Sequence, residues 1–235
     1  MIGSGLRERS APTRVHKGTD DMADELVHSK KVQKLIGVLR TLKEPLFLQM
    51  KSMYAADNRN MFPLDWIMQI ACKRALSNAS GIADLIEGHN MVSARALLRV
   101  HIDGLVRLYA FTLVDRPHDL AIKVIAGEKL SHMKDRNGTL MRDAHLIEQL
   151  GKEFDWLPKV YKNTSGFIHL SRELLGFTMQ PKEQDSFAVQ ISDKDDLPEE
   201  YWIEVIECHV ETSRILLSFV GSWTHTKEEA GRNRP

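Results

Sequence analysis

Residues 91–114 read MVSARALLRVHIDGLVRLYAFTLV, and this stretch decides the fold. Most of its positions are apolar all the way around a helix, so the helix that it predicts must be buried among other helices. Charged residues interrupt the stretch at every fourth position, at Arg95, Arg99, Asp103 and Arg107. That spacing places them along one side of the helix, which we call the charged stripe. We predict an all-α fold with this helix near its centre.

The segment before this stretch predicts its packing partner. Pro63 is a favourable first helical residue and Gly88 a natural stop, so the sequence predicts a helix between them, in an antiparallel hairpin with 91–114. The small residues Ala75, Ala79 and Gly81 would let the two helices approach closely.

Further helices are expected on both sides of this hairpin. A helix that starts near Asp24 should kink or end near Lys43, because Pro45 cannot continue the hydrogen-bond ladder. After the hairpin, the apolar spacing predicts shorter helices, which we place at 118–135, 139–151 and 156–175.

The last third of the chain changes character. Short alternating segments at 176–180 and 187–191 predict a two-stranded β-ribbon between 176 and 191. A final long helix should run from Pro198 to about Trp223. The predicted fold class is therefore all-α, a compact helical bundle with a small two-stranded β-ribbon insertion.

One domain accounts for most of the chain. A length of 235 residues with 43% hydrophobic content is enough for a substantial core. We place a single helical domain at 23–223. Residues 1–22 lack hydrophobic periodicity and are expected to form a flexible basic arm, and the polar residues 224–235 a flexible tail.

Cysteine use and hydropathy indicate a cytoplasmic protein. Cys72 and Cys208 are far apart, without the spacing of a redox or zinc motif, and are expected to be buried thiols in a reducing compartment. No uncharged apolar run is long enough to span a bilayer, so we expect no membrane partner. The N-terminal residues lack a signal-peptide core, and Ile2 excludes myristoylation.

Charge is balanced overall but not locally. Lys plus Arg and Asp plus Glu both total 32, which gives no whole-protein field to attract a polyanion. Ten carboxylates and two lysines lie between Pro181 and Glu211, whereas the arm carries Arg7, Arg9, Arg14 and Lys17. Both segments could simply be solvated. Alternatively, the arm pairs with residues 181–211, which we call the acidic segment, within one chain or between subunits of a homo-oligomer such as a dimer.

The charged stripe has two interpretations. Arg99 and Arg107 are each one turn from Asp103 and are expected to pair with it, which would make the stripe a structural ladder of ion pairs. In the functional interpretation, three arginines against one aspartate leave positive charge that faces an anion.

A second polar constellation lies in YKNTSGFIHLSREL. If this segment is helical, Tyr161, Ser165 and His169 share one face, with Arg172 close by. A lone histidine in such a place is more often a satisfied core residue than a catalyst. Its polar neighbours nevertheless make His169 the best candidate among the histidines.

These two stretches carry a family resemblance. SARALLRVHIDGLVRLYAF and YKNTSGFIHLS resemble the arginine and acid helix and the tyrosine, serine and histidine segment of an uncharacterised bacterial family of helical proteins. That family is loosely similar to HEPN-type domains, several of which are toxin or defence ribonucleases. The resemblance covers roughly residues 62–175 and implies a helical fold, with ribonuclease activity as one option.

The resemblance implies an arginine and a histidine at a set spacing. Arg95 and His101 satisfy that spacing, but Ala96 replaces the usual polar residue and the two lie on different helix faces. A composite of Arg95 or Arg99 with His169 would supply the same groups. The histidine would deprotonate a 2′-hydroxyl of RNA, and the arginine would stabilise the phosphorane without a metal.

Other chemistries lack their motifs. Glu25 and His28 form a single Glu-x-x-His, whereas a di-iron bundle needs two such pairs and further carboxylates. No phosphate-binding GxxxxGK[ST] and no GxSxG elbow occurs. The sequence therefore predicts neither a metal site nor another cofactor.

Three functional interpretations remain open. In the leading one, the protein is an interaction or assembly module with a polar Arg/His site, because no catalytic set is complete. In the second, it is a metal-free HEPN-like ribonuclease with His169, Arg95 and Arg99 as catalytic residues. In the third, a small anion or nucleotide is sensed by the arginine stripe. Further candidate binding residues of the polar site are Asp103, Arg107, Tyr161, Ser165 and Arg172.

Overall fold

The computed structural model of the chain describes residues 26–169, 171–172, 174–175, 179–182, 186–189 and 192–233. Its α-helices are α1 (Lys30–Thr41), α2 (Lys43–Ala55), α3 (Pro63–Glu87), α4 (Met91–Tyr109), α5 (Pro117–Ile125), α6 (Asp143–Gly151), α7 (Leu157–Ser165) and α8 (Glu199–Arg232). Short 3₁₀ turns occupy Asp57–Arg59, Ala110–Thr112 and Leu130–His132. The predicted all-α class is confirmed. The predicted arm, 1–22, lies outside the described residues.

The two strands are β1 (Met179–Lys182) and β2 (Ser186–Val189), and they pair antiparallel. Met179 is opposite Val189, and Lys182 is opposite Ser186. The sequence places strands at 176–180 and 187–191, and positions 176–178 and 190–191 of that prediction lie outside the described residues.

Helix α4 occupies the centre of the bundle, with α3, α6, α7 and α8 packed around it. Its apolar residues Ala94, Ile102 and Leu105 have no solvent exposure, as the sequence predicts for a helix that is apolar all round. The close approach of α3 is also confirmed. A Cβ at Gly81 would lie only 2.9 Å from Cδ2 of Leu97, so this position accepts only glycine without a shift.

The first helix begins later than predicted. Residues 26–29 are not helical, and Ser29 caps α1 by accepting a hydrogen bond from the backbone N–H of Val32 at 3.3 Å. The expected break near Lys43 falls at Leu42, between α1 and α2. Pro45 lies in the first turn of α2, where the missing N–H of proline leaves no hydrogen bond unmade.

The helix predicted at 118–135 is wrong beyond residue 125. Gly127 adopts a left-handed conformation with φ of 92°, and its N–H donates to Val124. The next N–H, that of Glu128, donates to Lys123. This pair of hydrogen bonds is a Schellman motif, which ends α5. The following helix begins at Asp143 instead of 139.

The predicted end of the last helix at 223 is also wrong, because α8 continues to Arg232. Lys227 is buried within this extension, and its Nζ donates to Asp65 and to the Met53 carbonyl oxygen, both at 2.9 Å. Gly231 packs against the 3₁₀ turn, and a Cβ there would lie 2.9 Å from Cα of Asp57. Residues 224–232 are therefore part of the helical domain and do not form a flexible tail.

Candidate functional site

The charged stripe runs from the interior, between α4, α7 and α8, to the surface at Arg107. Arg95, 7% exposed, donates from Nη2 to Oε2 of Glu204 on α8 at 2.6 Å. Its guanidinium carbon also lies 5.3 Å from the ring centre of Phe167 and 5.6 Å from that of Tyr201. A carboxylate and two aromatic rings therefore surround this cation, which is the usual environment of a buried arginine.

Arg99 joins α4 to α7. Its Nη1 donates to Oγ of Ser165 at 2.6 Å and to the Tyr161 carbonyl at 3.0 Å. Its Nε donates to Oδ1 of Asp103 at 3.3 Å, and its guanidinium stacks on the Tyr161 ring. The structure thus brings together four of the predicted site residues. The Nε and Nη1 donors of Arg99 are thus directed at partners within the protein.

The predicted pairing of Arg107 with Asp103 is wrong. Arg107 is exposed, and it pairs with Asp143 at the start of α6 at 3.4 Å. Glu204 therefore supplies the negative charge for Arg95, and Asp143 supplies that for Arg107, since α4 itself has only Asp103. Each arginine of the stripe has a carboxylate partner, and the excess positive charge expected from the sequence of α4 is compensated by α8 and α6.

Tyr161 is held in its protonated form by its surroundings. Burial, followed by the charge of Asp103, raises the pKa of the Tyr161 hydroxyl to about 12. The hydroxyl is consequently a hydrogen-bond donor at neutral pH and is unsuited to act as a general base there. This environment favours a structural role for the ring that stacks on Arg99.

His169 does not share a helical face with Tyr161 and Ser165. The helix predicted at 156–175 is interrupted after Ser165, because α7 ends there and a turn follows, with the N–H of Phe167 donating to the Thr164 carbonyl. Residues 172, 174 and 175 are again helical. His169 is exposed in this turn, and so is Arg172 further along the chain. Neither forms a hydrogen bond or an ion pair with any residue that the structure describes.

His101, which lies at the expected spacing from Arg95 in the sequence, is on another side of α4. It is buried against α8, with Nε2 at 3.0 Å from Oγ of Ser213 and its ring stacked on that of His209 at 3.9 Å. Burial lowers the pKa of His209 to about 3 and that of His101 well below its ordinary value. Both imidazoles are therefore neutral at physiological pH, and neither reaches solvent.

The acidic segment is partly used within the fold. Asp195 accepts a hydrogen bond from the N–H of Met91 at the start of α4, and Glu199 accepts one from Ser29. A carboxylate at a helix N-terminus also interacts favourably with the helix dipole. These contacts, with that of Glu204, give part of the acidic segment a role within the fold, whereas the basic arm lies outside the described residues.

A large apolar surface covers α3 and α5, and sequence reasoning missed it. Met61, Trp66, Ile70, Ile122 and Ile125 are each 43–62% exposed. Trp66 and Ile70 are one turn apart on α3, and Ile122 and Ile125 are one turn apart on α5. We call this surface the α3–α5 face. Its signal in the sequence is that Trp66 and Ile70 are apolar although they lie beside the buried residues Ile67 and Met68 of α3 and not among them.

The α3–α5 face also contains a groove. Met61, Phe62, Trp66, Ile122 and Ile125 line it, and its volume is about 550 Å³. The face thus combines the exposed side chains of Trp66 and Ile70 with a concave apolar surface that Trp66 also lines. Contiguous exposed apolar patches on soluble proteins often mark interaction sites.

Comparisons with protein-family models, curated proteins and solved structures found no match. Within the described ranges, no helix combines the length and the apolarity that crossing a bilayer requires. Nor does any group of three or more His, Cys, Asp or Glu side chains in that part of the chain have an arrangement that could hold a metal ion.

Proposed function

We propose that this protein is a non-enzymatic assembly module that forms a homodimer through the α3–α5 face. The observation that carries the proposal is the contiguous apolar surface of Met61, Trp66, Ile70, Ile122 and Ile125. Two neighbouring helices that each expose an apolar stripe can bury both stripes by packing against a second such pair. The product is a four-helix arrangement, a common way to complete a helical core.

A second copy of the chain is the partner that fits this face best. A two-fold interface places the same patch on both subunits, so the patch must be complementary to itself. The α3–α5 face supports such packing because it offers both exposed apolar side chains, Trp66 and Ile70, and an apolar groove. The net charge of zero adds no long-range repulsion between copies.

The proposal distinguishes two kinds of self-association. An interface between the basic arm and the acidic segment would weaken as salt rises, because exposed charges are screened. An interface on the apolar face should persist from about 0.05 M to about 1 M salt, where the Debye length falls to roughly 3 Å. Sedimentation velocity across this salt range therefore separates the two.

The deciding variant is Trp66→Asp. It places a charge in the centre of the face at a residue that is 51% exposed in the monomer, so the fold should survive. Phe47→Asp is the matched control, because Phe47 is 67% exposed on α2, outside the face. We expect dimers for the unmodified chain and Phe47→Asp, and monomers for Trp66→Asp with an unchanged circular dichroism spectrum.

Two outcomes would contradict the proposal. One is a chain that remains monomeric at every concentration, or a dimer that Trp66→Asp leaves intact. The other is chelator-resistant cleavage of labelled single-stranded RNA that His169→Ala abolishes, because it would make the protein a ribonuclease. We do not propose that activity, because Arg95 and Arg99 are engaged with carboxylates of the protein.

A further inference from the structure

A cavity of about 410 Å³ lies between α3, α4 and the segment that follows α5. We call it the α3–α4 cavity. Its apolar lining is mainly aliphatic and includes Ile67, Ala71, Leu108, Phe111, Val124 and Leu130. The charged residues around it are Arg74, Arg107, Lys129 and Glu128. Such a volume, with an apolar lining and few polar groups, is typical of sites for small molecules.

Arg74 is the exceptional residue of this cavity. It is half-buried on α3, yet in the part of the chain that the structure describes it forms neither an ion pair nor a hydrogen bond. The arginines of the charged stripe, by contrast, each pair with a carboxylate. A guanidinium removed from water without a partner is unfavourable, and an anionic ligand would relieve this cost.

The positive charge of Arg74 is felt by a buried neighbour. Burial, then His209 and then Arg74 lower the pKa of His101. This histidine is consequently neutral and does not compete with Arg74 for an anion. Arg74 is therefore a half-buried cation of the cavity that pairs with no carboxylate of the described residues.

Gly104 keeps the cavity open. Glycine is unfavourable in the middle of a helix such as α4, and Gly104 does not adopt a positive φ that would require it. A Cβ at this position would lie 3.9 Å from Cδ of Arg74, in ordinary contact. The backbone therefore tolerates a side chain here, and what glycine supplies is space beside the Arg74 stem.

The charges around the cavity select the ligand's head group. Arg107 is paired with Asp143, and the charges of Lys129 and Glu128 cancel, so the net charge is that of Arg74. One positive charge matches a singly charged carboxylate better than a doubly charged phosphate ester. The mainly aliphatic lining matches an alkyl chain better than a polar or planar body.

We propose that the α3–α4 cavity binds a medium-chain aliphatic carboxylate, with the carboxylate on Arg74 and the alkyl chain against Ile67, Leu108 and Leu130. The cavity borders the α3–α5 face at Ile70, but the site lies within one chain. Binding therefore does not depend on the dimer, and the Trp66→Asp monomer should bind the same ligand equally well.

Isothermal titration calorimetry of the full chain with decanoate, below its micelle concentration, tests the site. We expect saturable binding of one decanoate per chain, with decyltrimethylammonium, which has the same chain and the opposite charge, giving none. Arg74→Met should weaken decanoate binding by about tenfold to a hundredfold, the range of a charged hydrogen bond. Arg214→Met removes an exposed arginine of α8 and should change nothing.

Gly104→Leu fills the cavity and should abolish binding while the chain stays folded, as followed by circular dichroism. The proposal is overturned if decanoate fails to bind saturably, or if decyltrimethylammonium binds equally well. Neither result requires a variant to fold. Undiminished decanoate binding by a folded Arg74→Met or Gly104→Leu chain would also overturn it.

Discussion

The ion pair between Lys227 and Asp65 allows a quantitative test of how α8 is held. Neither side chain has any solvent exposure, and Nζ lies 2.9 Å from Oδ2. Lys227→Met keeps the length and most of the volume of the side chain, so it leaves little cavity. What it removes is the positive charge, and the carboxylate of Asp65 then remains buried without a cation.

The expected loss is about 3 kcal/mol of unfolding free energy, at the lower end of the roughly 3–5 kcal/mol for breaking a buried pair. The lower end applies because Asp65 keeps two other donors, Nε1 of Trp223 at 2.7 Å and the N–H of Phe62 at 2.8 Å. Asp65 is also in the first turn of α3, where the helix dipole favours an anion.

Urea denaturation at fixed protein concentration measures this loss, with Lys34→Met as a control because Lys34 is exposed on α1. Adding Asp65→Asn to Lys227→Met should restore part of the stability, since it removes the uncompensated charge. A loss below about 1 kcal/mol for Lys227→Met would refute the reasoning. It would mean that Lys227 is solvated and that the chain frays after 223, as its sequence suggests.

Two further predictions concern His209 and Asp103. Because the pKa of His209 is lowered from 6.5 to about 3 by burial, the unfolded chain binds a proton below pH 6.5 that the folded chain does not bind. Folding stability should therefore be full above pH 6.5 and fall by about 1.4 kcal/mol per pH unit toward pH 3 for this group. His209→Phe should reduce that slope in urea titrations between these pH values, and an unchanged slope would contradict the assignment. Asp103→Ala should cost only about 1–2 kcal/mol, since Arg99 keeps its bonds to Ser165 and to the Tyr161 carbonyl. A loss above about 4 kcal/mol would show that Asp103 is the main partner of Arg99.

The centre of the fold could be predicted from the sequence because its signal is local. Residues 91–114 are apolar on nearly every side, and only burial satisfies such a helix. The hairpin with α3 follows from Pro63, Gly88 and a short connection. These features depend on neighbouring residues alone.

The partners of the charged stripe could not be predicted in the same way. Arg95 pairs with Glu204, which is 109 residues away, and Arg107 with Asp143, which is 36 residues away. Periodicity within α4 suggests only partners on α4, such as Asp103. The stripe therefore resembled an anion site, whereas the tertiary structure neutralises it.

The extent of α8 was missed for a related reason. Residues 224–235 are polar, and one lysine among them is indistinguishable from a solvated residue until its partner on α3 is known. The end of α7 was missed because Gly166 lies in a segment with helical apolar spacing. The turn that follows separates His169 from the face of Tyr161 and Ser165.

Hydroxyl-radical footprinting of the unmodified chain tests the α3–α5 face as a dimer interface most directly. Met61 and Trp66 are readily oxidised and lie on the face, while Phe47 is an exposed reference outside it. Oxidation is compared between a dilute sample, which is monomeric, and a concentrated one. Our account predicts that Met61 and Trp66 become protected on concentration while Phe47 stays equally reactive. A dimer in which Trp66 is oxidised as fast as in the monomer would contradict it.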